Sequence, residues 1–154
     1  MSRIVDTIPI IKIIDRRRSP THGYRAVHVI ATLDEHPIEI QVRTQLQDLW
    51  AQAMERLADE AGREIRYGGM PKTRGEDVES LLNISQDIAL TEVTLTDLNQ
   101  METGLPQPNR AASNQRELRL NLAKLGSLRS RMRRREEVIR AMLKAMIARG
   151  GASK

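Results

Sequence analysis

The 154-residue chain contains no cysteine. That excludes a disulfide framework and any cysteine-ligated zinc or iron–sulfur site, and it fits a reducing compartment. Phenylalanine is absent too, and the aromatics are limited to Tyr24, Trp50 and Tyr67. Large compact cores normally draw heavily on aromatic side chains. An apolar content made of Leu, Ile, Val, Ala and Met therefore suits a small sheet and long helices. No apolar run approaches the roughly 18–20 residues of a membrane span, and the N-terminus lacks the charged segment and apolar stretch of a signal peptide. The expectation is a soluble, cytoplasmic protein with no membrane partner. No His, Asp or Glu spacing suggests a zinc site. The net charge of +5 favours an anionic partner, and its distribution is more informative than its sum.

Residues 8–14 are rich in β-branched side chains and read as a strand, with Pro9 near its start, where a missing N–H is tolerated. A basic loop, 15–22, follows. Residues 24–33 and 38–44 read as a hairpin around a four-residue loop, Asp34 to Pro37, with Leu33 opposite Ile38. The period of two sorts the strands into faces. Val27, Val29, Ala31, Leu33, Ile38, Ile40 and Val42 form an apolar face, expected to pack on a helix. Tyr24, Ala26, His28, Ile30, Thr32, Glu39, Gln41 and Arg43 form the other.

Thr44-Gln45-Leu46-Gln47 matches a capping box. Leu46, Leu49, Trp50, Ala53, Met54, Leu57 and Ala61 then recur at helical spacing up to a stop at Gly62. Trp50 lies on that stripe and reads as core, and Thr44 reads as a cap. Gly68, Gly69 and Pro71 mark a break, which divides the chain into residues 1–70 and a helical tail, 71–154. The tail reads as a helix over 76–103, a turn at 104–109 containing Pro106 and Pro108, and a helix over 114–149. The first helix carries an apolar stripe interrupted at Ser85 and Glu92. The second carries a heptad frame from Leu118 to Met146, interrupted at Arg129 and Glu136. Residues 76–102 hold seven acidic and no basic side chains, whereas 114–149 hold eleven basic and three acidic ones. Such helices suit an antiparallel hairpin or a dimer of hairpins. The fold class is accordingly α+β: a small antiparallel or mixed sheet packed on a helix, followed by a long helical hairpin.

The polar face offers a ring for stacking (Tyr24), a switchable donor (His28), a carboxylate (Glu39), an amide (Gln41) and a guanidinium (Arg43). The preceding loop adds Arg16, Arg17 and Arg18. A flat ring beside several cations suits a nucleotide, whose base stacks while its phosphates meet Arg. A carboxylate among those cations can hold a metal or accept a hydroxyl proton.

Gly23-Tyr24-Arg25-Ala26-Val27-His28, preceded by a basic loop and followed by Glu39-Ile40-Gln41-Val42-Arg43-Thr44 and Trp50-Ala51, resembles the second half of the RelA/SpoT-type (p)ppGpp synthetase domain. The resemblance covers about 60 of the 154 residues and implies a partial nucleotidyltransferase-like synthetase fold. It also implies roles. Tyr24 would stack on the guanine of GDP or GTP. His28 would contact the acceptor. Glu39 would be the catalytic carboxylate and a ligand of Mg²⁺. Gln41 and Arg43 would support that face, and Arg16, Arg17 and Arg18 would hold phosphates. His22 stands where many members have a guanine-contacting Asn, and Ala26 replaces a frequent Ser.

The family reaction, a GTP pyrophosphokinase-type transfer of pyrophosphate from ATP to the 3′-hydroxyl of GTP or GDP, also needs an upstream ATP-binding segment and an Asp-x-x-Gly-x-Arg strand. Only seven residues precede Ile8. The nearest look-alike, Asp59 to Glu64, sits at a helix end and lacks the terminal Arg. The donor half is therefore expected to be missing and the chain to be inactive alone. Two non-catalytic readings stand beside this one. The helical tail could drive homo-oligomerisation, or the run Arg129 to Arg135 could bind nucleic acid or the ribosome.

Overall fold

A computed structural model describes residues 8–104 and 112–149. Its elements are β1 (Ile10–Asp15), β2 (Val27–Leu33), β3 (His36–Val42), α1 (Gln45–Ala61), a 3-10 turn (Arg63–Tyr67), α2 (Gly75–Gly104) and α3 (Ala112–Arg149). The fold is α+β. The sheet is antiparallel throughout, in the order β1-β2-β3, with a bulge between Ile10 and Lys12. The expected turn at 104–109 lies largely outside the described residues, which resume at Ala112.

The β2–β3 loop differs from expectation. Leu33 pairs with His36 and Val27 with Val42, so the turn holds two residues rather than four. Asp34 and Glu35 both take positive φ, 48° and 65°. This is the backbone pattern of a type I′ turn, whose twist matches that of the flanking strands. The register thus slips by two residues from the expected one. A slip of two leaves each side chain on its own face, so both predicted faces survive. His28 lies opposite Gln41 and Ile30 opposite Glu39.

Helix α1 begins at the expected capping box. Thr44 Oγ1 accepts from the Gln47 amide, and the Gln47 side chain accepts from the Thr44 amide at 3.2 Å. Each bond satisfies a donor that the first turn would otherwise leave open. The helix stops at Gly62, whose φ of 119° is unfavourable for residues with a Cβ.

The core is helical. Leu46, Trp50, Met54 and Leu57 of α1, Ile65 of the 3-10 turn, Val78, Leu81, Ile84 and Ile88 of α2, and Ile139 and Leu143 of α3 form one buried cluster. The Trp50 indole N–H, which must find a partner when buried, donates to the Leu81 carbonyl at 2.6 Å. Side chains on both sides of the break near residue 70 share this cluster. Of the heptad frame in α3, Ile139 and Leu143 are buried and Leu122 is exposed. The opposite charges of α2 and α3 meet within the chain. Arg129 bonds Glu102 and Asn99, and Arg135 bonds Asp87 at 2.5 Å.

The expected helix on the apolar sheet face is not found among the described residues. No strand residue belongs to the core cluster; Ile11, Ile13 and Leu33 are exposed and Val29, Ile40 and Val42 half-buried. The segment entering β2 joins the sheet to the helices instead. Gly23 lies so close to Trp50 that a Cβ there would approach Cζ2 to 2.7 Å. Ser85 Oγ donates to the Gly23 carbonyl at 2.5 Å and accepts from Arg25 Nε at 3.1 Å. Tyr24 packs against the core.

Candidate functional site

The two-residue turn brings the polar residues of β2 and β3 together. Tyr24 Oη donates to Gln41 Oε1 at 3.1 Å, and an Arg43 Nη donates to the same oxygen. The Arg43 guanidinium lies 5.2 Å from the centre of the Tyr24 ring, within cation–π range. The Tyr24 and His28 rings are 5.7 Å apart at 60°. His28 Nδ1 contacts Glu39 Oε1, which also accepts from Gln41 Nε2 at 3.5 Å. The hydrogen bond from His28 holds the Glu39 carboxyl below its ordinary value. His28 Nε2 is buried without a protein partner. Tyr24, His28, Glu39, Gln41 and Arg43 are therefore one hydrogen-bonded and stacked constellation, linked across the strands.

Beside it lies a cavity of about 500 Å³, lined by His22, Tyr24, Arg43 and Trp50, by Arg56 on α1, and by Arg66 of the 3-10 turn. The Nε atoms of Arg43, Arg56 and Arg66 are buried without a hydrogen-bond partner, while Arg43 pairs with Asp48 at 3.4 Å and Arg56 with Glu60 at 4.0 Å. Three guanidinium groups lining one cavity favour an anionic or acceptor-rich occupant. The cavity also carries Glu55 and Asp59, both contacted by Arg66 Nη2, at 2.5 and 3.5 Å. His22 takes a positive φ of 50°, and its ring occupies the space next to Gly68, where a Cβ would come within 2.3 Å of it.

The arginine loop does not join this cavity. Arg16 donates to Thr21 Oγ1 at 2.6 Å. Arg17 makes a bidentate pair with Asp15, at 2.6 Å for the closest contact, and that pair lowers the Asp15 carboxyl to about 2. Arg17 and Arg18 line a separate cleft against α2.

Sequence reasoning missed Arg56, Arg66, Glu55 and Asp59. The signal for three of them was present: Gln52, Glu55, Arg56 and Asp59 recur at helical spacing opposite the apolar stripe of α1. The signal for Arg66 was not, because only the 3-10 turn after Gly62 swings it back toward α1. Among the described residues, no group of three His, Asp or Glu side chains is placed to hold a metal ion, and no helix is long and apolar enough to cross a membrane.

No family model matches the sequence, and no solved structure matches it. Uncharacterized proteins of Mycobacterium tuberculosis (strain H37Rv) and Mycobacterium bovis are each 45% identical to it over 78 residues, which is 47% of this chain and 29% of theirs. The matched part thus spans under a third of the length of these curated relatives.

Proposed function

We propose that the chain carries the acceptor-nucleotide side of a RelA/SpoT-type alarmone synthetase and binds GDP or GTP at the Tyr24 cavity. The observation that carries this reading is the linked constellation of Tyr24, His28, Glu39, Gln41 and Arg43, of which Tyr24 and Arg43 line a cavity shared with Arg56 and Arg66. Arg43 covers one face of the Tyr24 ring, and the base stacks on the other. Arg43, Arg56 and Arg66, rather than the arginine loop, line the cavity in which a nucleotide would sit. Glu39, kept ionised by His28, is the group that can accept a hydroxyl proton.

The resemblance implies Mg²⁺ at Glu39. Both described hydrogen bonds to this side chain fall on Oε1, and no cluster of three ligating side chains accompanies it among the described residues. These residues fit a Mg²⁺ that arrives with nucleotide phosphates and takes Glu39 as one ligand; they do not build a protein cage. Such an ion would neutralise charge on the group being transferred. The 154 residues contain no Asp-x-x-Gly-x-Arg segment, so pyrophosphate transfer is proposed to need a donor side from elsewhere.

Isothermal titration of GDP and GTP into the full chain tests the reading. Base–aromatic stacking is worth roughly 1–3 kcal/mol, so Tyr24→Ala should weaken binding about tenfold or more. No detectable heat with either nucleotide, or equal affinity in Tyr24→Ala, would overturn it. A labelled-ATP assay with GDP should show no transfer by this chain alone.

A second reading, self-association through the tail, is favoured by exposed apolar side chains on α2 and α3, among them Leu90, Val93, Val138 and Met142. Sedimentation equilibrium of the full chain and of Val138→Glu tests it; a monomer in both cases would remove it.

A further inference from the structure

Two carboxylates line the Tyr24 cavity beside its three guanidinium groups. Glu55 and Asp59 stand one helical turn apart on α1 and so share a side of that helix. Both side chains are more than half exposed, at 58% and 60%, so a ligand can reach them. Arg66 Nη2 holds one oxygen of each, Glu55 Oε2 at 2.5 Å and Asp59 Oδ1 at 3.5 Å. Glu55 Oε1 accepts no hydrogen bond among the described residues. The pairing with Arg66 offsets part of the Glu55 charge and restrains its side chain, yet leaves an oxygen open to a further donor.

A carboxylate repels phosphate, so in a cavity that seats a nucleotide it is useful only at the base. Its place on α1 suits that role. Trp50, which packs against Gly23, and Ala51 line the same cavity as Tyr24. Glu55 lies one turn beyond Ala51, about 6 Å of helical rise. A purine is of comparable length, so a base stacked on Tyr24 can present its hydrogen-bonding edge to Glu55. Guanine offers two adjacent donors there, N1–H and the 2-amino group, and a carboxylate is acceptor-only. Adenine offers an acceptor, N1, which the carboxylate repels.

We propose that Glu55, held by Arg66, selects guanine over adenine in the Tyr24 cavity by accepting hydrogen bonds from N1–H and the 2-amino group. The inference rests on the reading of this cavity as a nucleotide site and names the group that reads the base. The position that the resemblance gives to a guanine contact holds His22, whose ring is packed beside Gly68. The selecting group comes from α1 instead.

The test is isothermal titration of GDP, inosine diphosphate and ADP into the full chain and into Glu55→Gln. The wild-type chain should bind GDP about tenfold or more tighter than ADP, with inosine diphosphate, which lacks the 2-amino group, between them. Glu55→Gln should bring the GDP-to-ADP ratio close to one, because its amide can also donate to adenine N1. The ratio is the readout: removing a negative charge strengthens the binding of both phosphates alike, and that effect cancels. Glu117→Gln, at an exposed position near the start of α3, removes an equal charge and should leave the ratio unchanged. Equal affinities for GDP and ADP in the wild-type chain, or the same ratio in Glu55→Gln, would overturn the assignment of Glu55; the nucleotide reading then stands if Tyr24→Ala still weakens binding. No heat with any of the three nucleotides would remove both. Should Glu55→Gln fail to fold, the wild-type order of GDP, inosine diphosphate and ADP decides alone.

Discussion

Leu143, near the end of α3, is fully buried in a cluster that also contains Trp50 of α1. Leu143→Ala removes three carbon atoms from that cluster. At about 0.8 kcal/mol per buried methylene, plus the cost of an unfilled cavity, the loss is about 3 kcal/mol. For a chain of this length that corresponds to a fall in Tm of about 6–12 °C, or of about 1–2 M in the urea midpoint. The assay is urea unfolding followed by the fluorescence of Trp50, the single tryptophan. The probe sits on α1 and the substitution on α3, so the experiment asks whether the two helices melt as one unit. Val138→Ala, on the exposed side of α3, is the control and should shift the transition by less than about 0.5 kcal/mol. A Trp50 transition unmoved by Leu143→Ala, with helix signal lost in a separate earlier step, would refute a shared core.

Gly23→Ala places a Cβ 2.7 Å from Trp50 at a φ of +82°; it should lower stability by about 1–3 kcal/mol, and an unchanged urea midpoint would contradict the close packing of Gly23 on the indole. Replacing Asp34-Glu35 by Asn-Gly suits two successive positive φ angles and should raise thermal stability by about 0.5–1 kcal/mol; a loss would favour the four-residue loop. Arg17 lowers the folded-state value of Asp15 to about 2. The stability this pair contributes is thus present above the ordinary aspartate range and is lost as pH falls toward 2. A carboxyl titration followed by NMR should show that midpoint, and Arg17→Gln should return it toward the ordinary value; a midpoint unaffected by Arg17→Gln would remove the pair as its cause.

The elements legible from the chain alone were those specified by neighbours in sequence. The capping box at Thr44 and Gln47, the stop at Gly62 and the burial of Trp50 follow from spacing within one or two helical turns. The two sheet faces follow from the alternation of side chains along a strand. The hairpin turn was misread because Asp34-Glu35 lacks the Asn-Gly signature of its conformation. Periodicity could not correct the error, since registers two residues apart present identical faces. The division of the arginines was equally invisible. Arg17 is neutralised by a residue two positions away, whereas Arg43, Arg56 and Arg66 converge from the segment just after β3, a helix and a 3-10 turn.

What the sequence by itself determined was local: where helices start and stop, which strand residues share a side, and hence that a phenol, an imidazole and a carboxylate emerge together. These depend on hydrogen bonds and side-chain directions that repeat every two or 3.6 residues. What only the tertiary structure decided was which surfaces meet. The helices bury their stripes against one another and leave the apolar sheet face largely without helical cover. Glu92 meets the N-cap of α1 across 48 residues of chain. Such contacts are chosen by competition among all apolar surfaces at once, and no short window of sequence contains that competition.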